Sequence, residues 1–232
     1  MTEPHSQVSA QPSSHPAFVR YPPQAAFGRT LPKSKIYTHS HAGTRLKNLF
    51  VQQVNQIVWQ YKLAPETINL PARAGVPEIQ IFALHLKTPE PHRDMLRAID
   101  GAVQYPVVFE LTCEGCVQVV ACYKRPSESG ATWVLSDYHA SPWLPVDSPR
   151  APLPVVLDLG SLYEQLLHRL MPLRARPGEA LADFSARVAQ AQAKEREVKN
   201  VADRLAKEIQ FNRKVEINAT LRQLKAELEQ LS

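Results

Sequence analysis

The chain has 232 residues, of which 44% are hydrophobic and 21% charged, with a formal net charge of +5. That length can enclose one medium hydrophobic core with appendages, and no run approaches the roughly 18–20 apolar residues that a membrane-spanning helix needs. The first thirty or so residues lack the apolar stretch and basic start of a signal peptide, so a cytoplasmic location is expected, and the three cysteines are expected as thiols rather than a disulfide framework.

Residues 1–31 are rich in Pro, Ser, Gln and Ala without a sustained period, which predicts a disordered arm. Residues 1–40 hold four Lys/Arg against one Asp/Glu, whereas residues 41–177 hold thirteen against twelve and residues 178–232 ten against nine. Arg20, Arg29, Lys33 and Lys35 therefore supply most of the net charge and are the candidate nucleic-acid contacts, acting through phosphate and counterion release. The near-neutral remainder disfavours a stand-alone DNA-binding module.

An α+β domain is expected over residues 32–171. Leu46, Leu49, Phe50, Val54, Ile57, Val58 and Tyr61 share one face at helical spacing, which predicts a helix over 44–62 with Thr44 as its N-cap. Residues 66–70 read as extended. Residues 78–87 form a strand apolar on both sides and hence central in its sheet, and a helix follows over 91–103. Strands over 106–113 and 116–124 flank Glu114-Gly115, a tight-turn pair, and another strand covers 132–138. The fold class is α+β, a mixed sheet of four to five strands with packed helices. The stretch 141–154 holds five of the chain's twenty prolines and must cross the surface. Ser161-Leu162-Tyr163-Glu164 reads as a capping box.

Pro172, Pro177 and Gly178 mark a hinge over 172–178, and residues 179–232 read as a helical coiled-coil extension. Ile217, Leu221, Leu224, Leu228 and Leu231 are spaced four, three, four, three, the a/d seam of a coiled coil. Val198, Val201, Leu205 and Ile209 form a similar, imperfect stripe. Such a seam must be covered by its own chain or by a partner, and its five residues are the predicted partner-binding set, by self-association or with another protein.

No catalytic, cofactor or metal residue is assigned. Cys113-Glu114-Gly115-Cys116 has the spacing of half a zinc knuckle, but a structural zinc takes four ligands and no second pair follows. His39-Ser40-His41 lacks a third ligand at fixed spacing. On the central strand Glu78 and Lys87 stand nine residues apart, roughly 30 Å along a strand, too far for one nuclease site. A nuclease-like alternative would need Asp100, Glu110 and Asp137 to converge. Asp137-Tyr138-His139 and Ser141 are crowded, whereas a nucleophile, base and orienting acid come from separate segments. No glycine-rich phosphate loop or nucleophile elbow is present. Tyr138 and Trp143, with Arg150 near, offer a stacking surface or a cover for the sheet margin.

Several blocks carry a family resemblance: Leu46-Lys47-Asn48-Leu49-Phe50 through Leu63-Ala64-Pro65-Glu66-Thr67-Ile68-Asn69-Leu70, then Glu78-Ile79-Gln80-Ile81-Phe82, Ala98-Ile99-Asp100 to Tyr105-Pro106, and Gln210-Phe211-Asn212 to Val215-Glu216-Ile217-Asn218. Together, from about Pro32 to Leu231, the chain resembles the bacterial domain-of-unknown-function family 4391. The resemblance implies no settled activity. It implies a setting, beside Snf2-type helicases, DNA methyltransferases and restriction-like helicase nucleases in clusters that look like anti-phage defence systems. The expected function is a non-enzymatic accessory or adaptor subunit that meets a helicase or methyltransferase partner through its C-terminal helix.

Overall fold

A computed structural model describes residues 15–127 and 132–232. The chain separates into two compact units, the first ending at Leu170 and the second running from Met171 to Ser232.

In the first unit, strand β1 (Val19–Arg20) and a short 3-10 turn (Pro23–Ala25) precede strand β2 (Ala26–Thr30). Residues 15–31, expected from composition to hang loose, are thus built into the fold: Phe18 and Val19 are fully buried, and apolar side chains of that size repay the ordering of a short segment. Residues 1–14 of the expected arm lie outside the described residues. Helices α1 (Lys33–His39) and α2 (Thr44–Gln53) follow, then strand β3 (Val54–Leu63) and helix α3 (Pro65–Ile68).

The helix expected over 44–62 is therefore half helix and half strand, changing from one to the other without a connecting loop. Val54, Ile57, Val58, Trp59 and Tyr61 are β-branched or aromatic and fit a pleated surface, and pairing with a central strand overrides their helical spacing. Gly43 rather than Thr44 occupies the N-cap of α2, with no side-chain cap bond. Of residues 66–70, expected extended, 66–68 instead lie in a helical turn, Pro65–Ile68, closed by the Thr67 hydroxyl.

Strand β4 (Ile79–Leu86), helix α4 (Arg93–Ala102), strands β5 (Val107–Cys113), β6 (Cys116–Pro126) and β7 (Trp133–Ala140), the short β8 (Leu144–Pro145) and β9 (Ala151–Pro152), and helix α5 (Leu159–His168) complete the unit. Among the described residues the main sheet has seven strands, in the order β2-β3-β4-β5-β6-β7 with β8 on β6, more than the four or five expected. The extra members are β2, β3 and β8, which the sequence pattern places in arm, helix and loop. Within this sheet β4 and β5 are parallel across the α4 crossover and the other pairs are antiparallel, while β1 and β9 form a separate parallel pair. Cys113 pairs with Cys116 around the Glu114-Gly115 turn, where both turn residues have positive φ. One sheet face presents Phe82, Leu84, Val107, Phe109, Leu111 and Val120 to Ile36, Phe50, Met95, Leu96 and Ile99 of α1, α2 and α4. Helix α5 is capped by Asp158, whose carboxylate accepts from Ser161 N at 2.7 Å, so Ser161 lies inside the helix rather than at its cap.

The second unit is a helical hairpin of α6 (Leu181–Lys207) and α7 (Phe211–Leu231). The helices run antiparallel, since Arg187 meets the Leu231 carbonyl, Lys194 meets Glu227, and Val201 packs with Leu221 and Leu224. The break at residues 208–210 divides the two apolar stripes, and each becomes the cover for the other.

Candidate functional site

The groups with catalytic potential fall in two buried clusters on the sheet. The first lies where β6 passes the C-terminus of α4. Lys124 is almost wholly buried, and its Nζ donates to the carbonyls of Asp100 (2.6 Å), Val103 (2.6 Å) and Tyr105 (3.0 Å). Those carbonyls end α4 and its following turn, where a cation also complements the helix dipole. Asp100 Oδ1 stands 3.5 Å from the same ammonium, and Oδ2 accepts from the Tyr138 hydroxyl at 2.6 Å and from Cys122 Sγ at 3.5 Å. Beyond the last β5–β6 pair, Val108 with Ala121, the Tyr163 hydroxyl of α5 stands in for a ladder partner: it accepts from Lys124 N at 3.0 Å and donates to Cys122 O at 2.6 Å. Burial raises the Asp100 carboxyl and lowers the Lys124 amine, and it pushes the Cys122 thiol and Tyr138 phenol up. With Lys124 and Asp100 side chains at 0% exposure, the cluster fastens α4 and α5 to β6.

The second cluster lies on the opposite sheet face. Glu110 of β5 accepts from both terminal nitrogens of Arg150, at 2.7 and 2.9 Å, a bidentate pair. Arg150 Nη1 also donates to Val19 O at 2.8 Å, and the guanidinium covers the Phe18 ring at 3.9 Å. Tyr21 is buried beside this pair, its phenol pushed well up by burial, and its hydroxyl has no hydrogen-bond partner among the described residues.

Asp100, Glu110 and Asp137 consequently do not meet. Asp100 lies in the α4 core, Glu110 on the other face with both oxygens taken by Arg150, and Asp137 half exposed with its Oδ1 4.0 Å from Arg97. Among the described residues no three His, Cys, Asp or Glu side chains gather as a metal site. Cys113 and Cys122 are buried in the core and Cys116 is half-buried. His39 lines a shallow cavity of about 310 Å³ with Leu46, Asp94 and Arg97. Tyr138 is buried, and Trp143 borders a second cavity of about 280 Å³ with Arg93, Gln118 and Leu96.

The four expected phosphate contacts are spread out. Lys33 donates to the carbonyls of Phe50 and Val54 at the end of α2, and burial lowers its amine. Its half-buried ammonium thereby caps the C-terminal end of α2. Arg29 lies over the Phe27 ring at 5.1 Å on edge strand β2, while Arg20 and Lys35 are exposed.

The five leucine-seam residues also have a use within the chain. Leu221 and Leu224 are buried against Val201 with Val198, Ala202, Leu205 and Ile217 around them, and Leu228 and Leu231 are half-buried. The seam expected to bind a partner is thus turned onto α6, because the break at 208–210 lets the chain double back. The root of the hairpin is fixed by Arg187, which sequence periodicity does not single out. Its guanidinium donates to both Glu179 oxygens and to the carbonyls of Arg174 and Leu231. At the other end Ile209, Phe211 and Val215 are 90%, 78% and 55% exposed.

The described residues thus define an α+β domain and a helical hairpin, with Asp100 paired to Lys124 and Glu110 to Arg150 in the former. The chain belongs to the family described as Domain of unknown function (DUF4391), which matches residues 19–228. No curated protein and no solved structure matches it. Among the described residues no helix is long and apolar enough to cross a membrane.

Proposed function

We propose that the protein is a non-enzymatic accessory or adaptor subunit of a bacterial DNA-modification or anti-phage defence system. It engages a helicase or methyltransferase partner through its C-terminal hairpin. The carrying observation is the closed end of that hairpin, where Ile209, Phe211 and Val215 expose apolar surface within seven residues of chain. Clustered exposed apolar side chains, one of them aromatic, are the usual anchors of protein interfaces. The leucine seam builds the arm, and the end of the arm makes the contact. The separation of Asp100, Glu110 and Asp137 weighs against the nuclease alternative, because metal-assisted cleavage needs carboxylates around a common ion.

The test is co-purification with any Snf2-type helicase or DNA methyltransferase found encoded beside the gene. Wild-type protein is expected to retain at least one of them. Ile209→Asp with Phe211→Asp, exposed positions whose change leaves helicity intact, should weaken retention by about tenfold or more, since hot-spot losses of 2 kcal/mol and above are typical. Retention of neither partner by the wild type, or full retention by the double variant, would sink the adaptor reading.

A further inference from the structure

We propose that one flank of α7 binds the phosphate backbone of duplex DNA without reading its sequence. Phe211, Lys214, Val215, Asn218, Arg222 and Lys225 recur at steps of three or four with one adjacent pair, so they form a row along the helix. All six are exposed. Asn218, Arg222 and Lys225 each follow an inward residue, Ile217, Leu221 or Leu224, by one position, a rotation of about 100° away from the α6 contact. Between Phe211 and Lys225 the row holds three cations and no carboxylate, and exposed Glu229, one step further along the same flank, ends it.

Among the described residues, the ion pairs of the hairpin are Arg187–Glu179, Lys194–Glu197 and Lys194–Glu227. None involves Lys214, Arg222 or Lys225. Glu208 feels Lys214 through space, but its carboxylate is held by the amides of Ile209 and Gln210. Residues 196–225 together carry eight Lys/Arg against four Asp/Glu, so the surroundings reinforce the row. Lys214 and Lys225 lie about 16 Å apart along the axis at 1.5 Å per residue, which spans several phosphates of a duplex.

The chemistry between the cations selects the ligand. Grooves for single strands interleave aromatic rings with cations so that successive bases stack. Here the one ring, Phe211, lies at the end of the row, and Val215 and Asn218 stand between the charges. An acidic protein partner would need an apolar anchor amid the cations, and Val215 alone is a small one. A duplex turns its phosphates outward and needs neither. The row shares Phe211 and Val215 with the apolar end on which the adaptor reading rests, so the test changes only the cations Lys214, Arg222 and Lys225 and leaves the apolar residues in place.

The experiment titrates full-length protein into a fluorescent random-sequence duplex of about 20 base pairs at several salt concentrations between about 50 and 200 mM. Wild-type affinity should fall linearly on a log–log plot, alike for unrelated sequences. Lys214→Gln with Arg222→Gln and Lys225→Gln should make the slope shallower by about 2–3, at roughly 0.9 for each phosphate left without its cation. Arg20→Gln with Arg29→Gln and Lys35→Gln should leave it as it was. If the triple α7 variant loses helicity, Lys225→Gln alone serves, with a change of about 0.9 expected. No saturable duplex binding at low salt, an unchanged slope in the α7 variant, or tighter binding of the isolated single strand would each overturn the proposal. Loss of protein partners in the α7 variant, with no DNA binding in the wild type, would assign the row to an acidic protein instead. Failure of the adaptor reading is seen separately, in the Ile209 and Phe211 variant.

Discussion

A lysine without solvent holds its proton where three acceptors meet its three N–H groups, and Lys124 has them in the carbonyls of Asp100, Val103 and Tyr105. A neutral amine could serve only two. Lys124→Met keeps the length of the stem but strands those carbonyls and leaves Asp100 beside no cation. Removing one member of a buried pair costs about 3–5 kcal/mol, and urea denaturation should show a loss of that order. A loss below about 1 kcal/mol would mean that water replaces the ammonium. Combining Lys124→Met with Asp100→Asn should cost less than the sum of the two single changes, because both groups share one network. Nothing in the sequence around Lys124 sets it apart from a surface lysine: it follows Tyr123 and precedes Arg125, and only the neighbouring α4 terminus makes burial tolerable.

Among elements, the ones legible in sequence are those whose pattern has a single solution. Strand β4 is apolar on both sides, the β5–β6 hairpin has its Glu114-Gly115 turn, and α4 has a clear inward face, and each stands within about two residues of its expected bounds. Strand β3 is hidden because Val54, Ile57, Val58 and Tyr61 satisfy helical spacing while their β-branched and aromatic shapes favour pleated pairing. The buried clusters are illegible for a different reason: Glu110 with Arg150 and Asp100 with Lys124 are separated by 40 and 24 positions, and periodicity carries no information at that range. The hairpin root yields a pH prediction. Arg187, first, and the Arg176 amide hold Glu179 down to about 2, against an ordinary 4.5. A depressed carboxyl contributes stability above its unfolded pKa and loses it as pH falls toward the folded value. Helicity of the hairpin should therefore become less heat-resistant between about pH 4.5 and pH 2, and Glu179→Gln should flatten that dependence. An identical acid profile in the variant would assign the sensitivity to other carboxylates.

At the scale of the whole molecule, the segment around Phe18 and Val19 is held by residues far along the chain. Strand β1 pairs in parallel with β9, Val19 against Ala151, and the Arg150 guanidinium reaches Val19 O across 131 positions. Truncation after Ala140 removes Arg150, β9 and α5 while sparing β2–β7. Such a fragment should lack cooperative unfolding and expose the Phe18 surface, seen as binding of an apolar dye, whereas a fragment ending at Leu170 should unfold as one transition. A dye-silent, cooperative fragment ending at Ala140 would show that the clasp is dispensable. The parallel β1–β9 clasp also has a temporal meaning. During synthesis at about 5–20 residues per second, the first strand leaves the ribosome well before its partner is made, so for several seconds Phe18, Val19 and the unpaired Glu110 wait in the open. The domain closes late and from its ends, and a nascent chain stalled short of Arg150 presents that apolar and acidic surface to whatever chaperone or protease reaches it first.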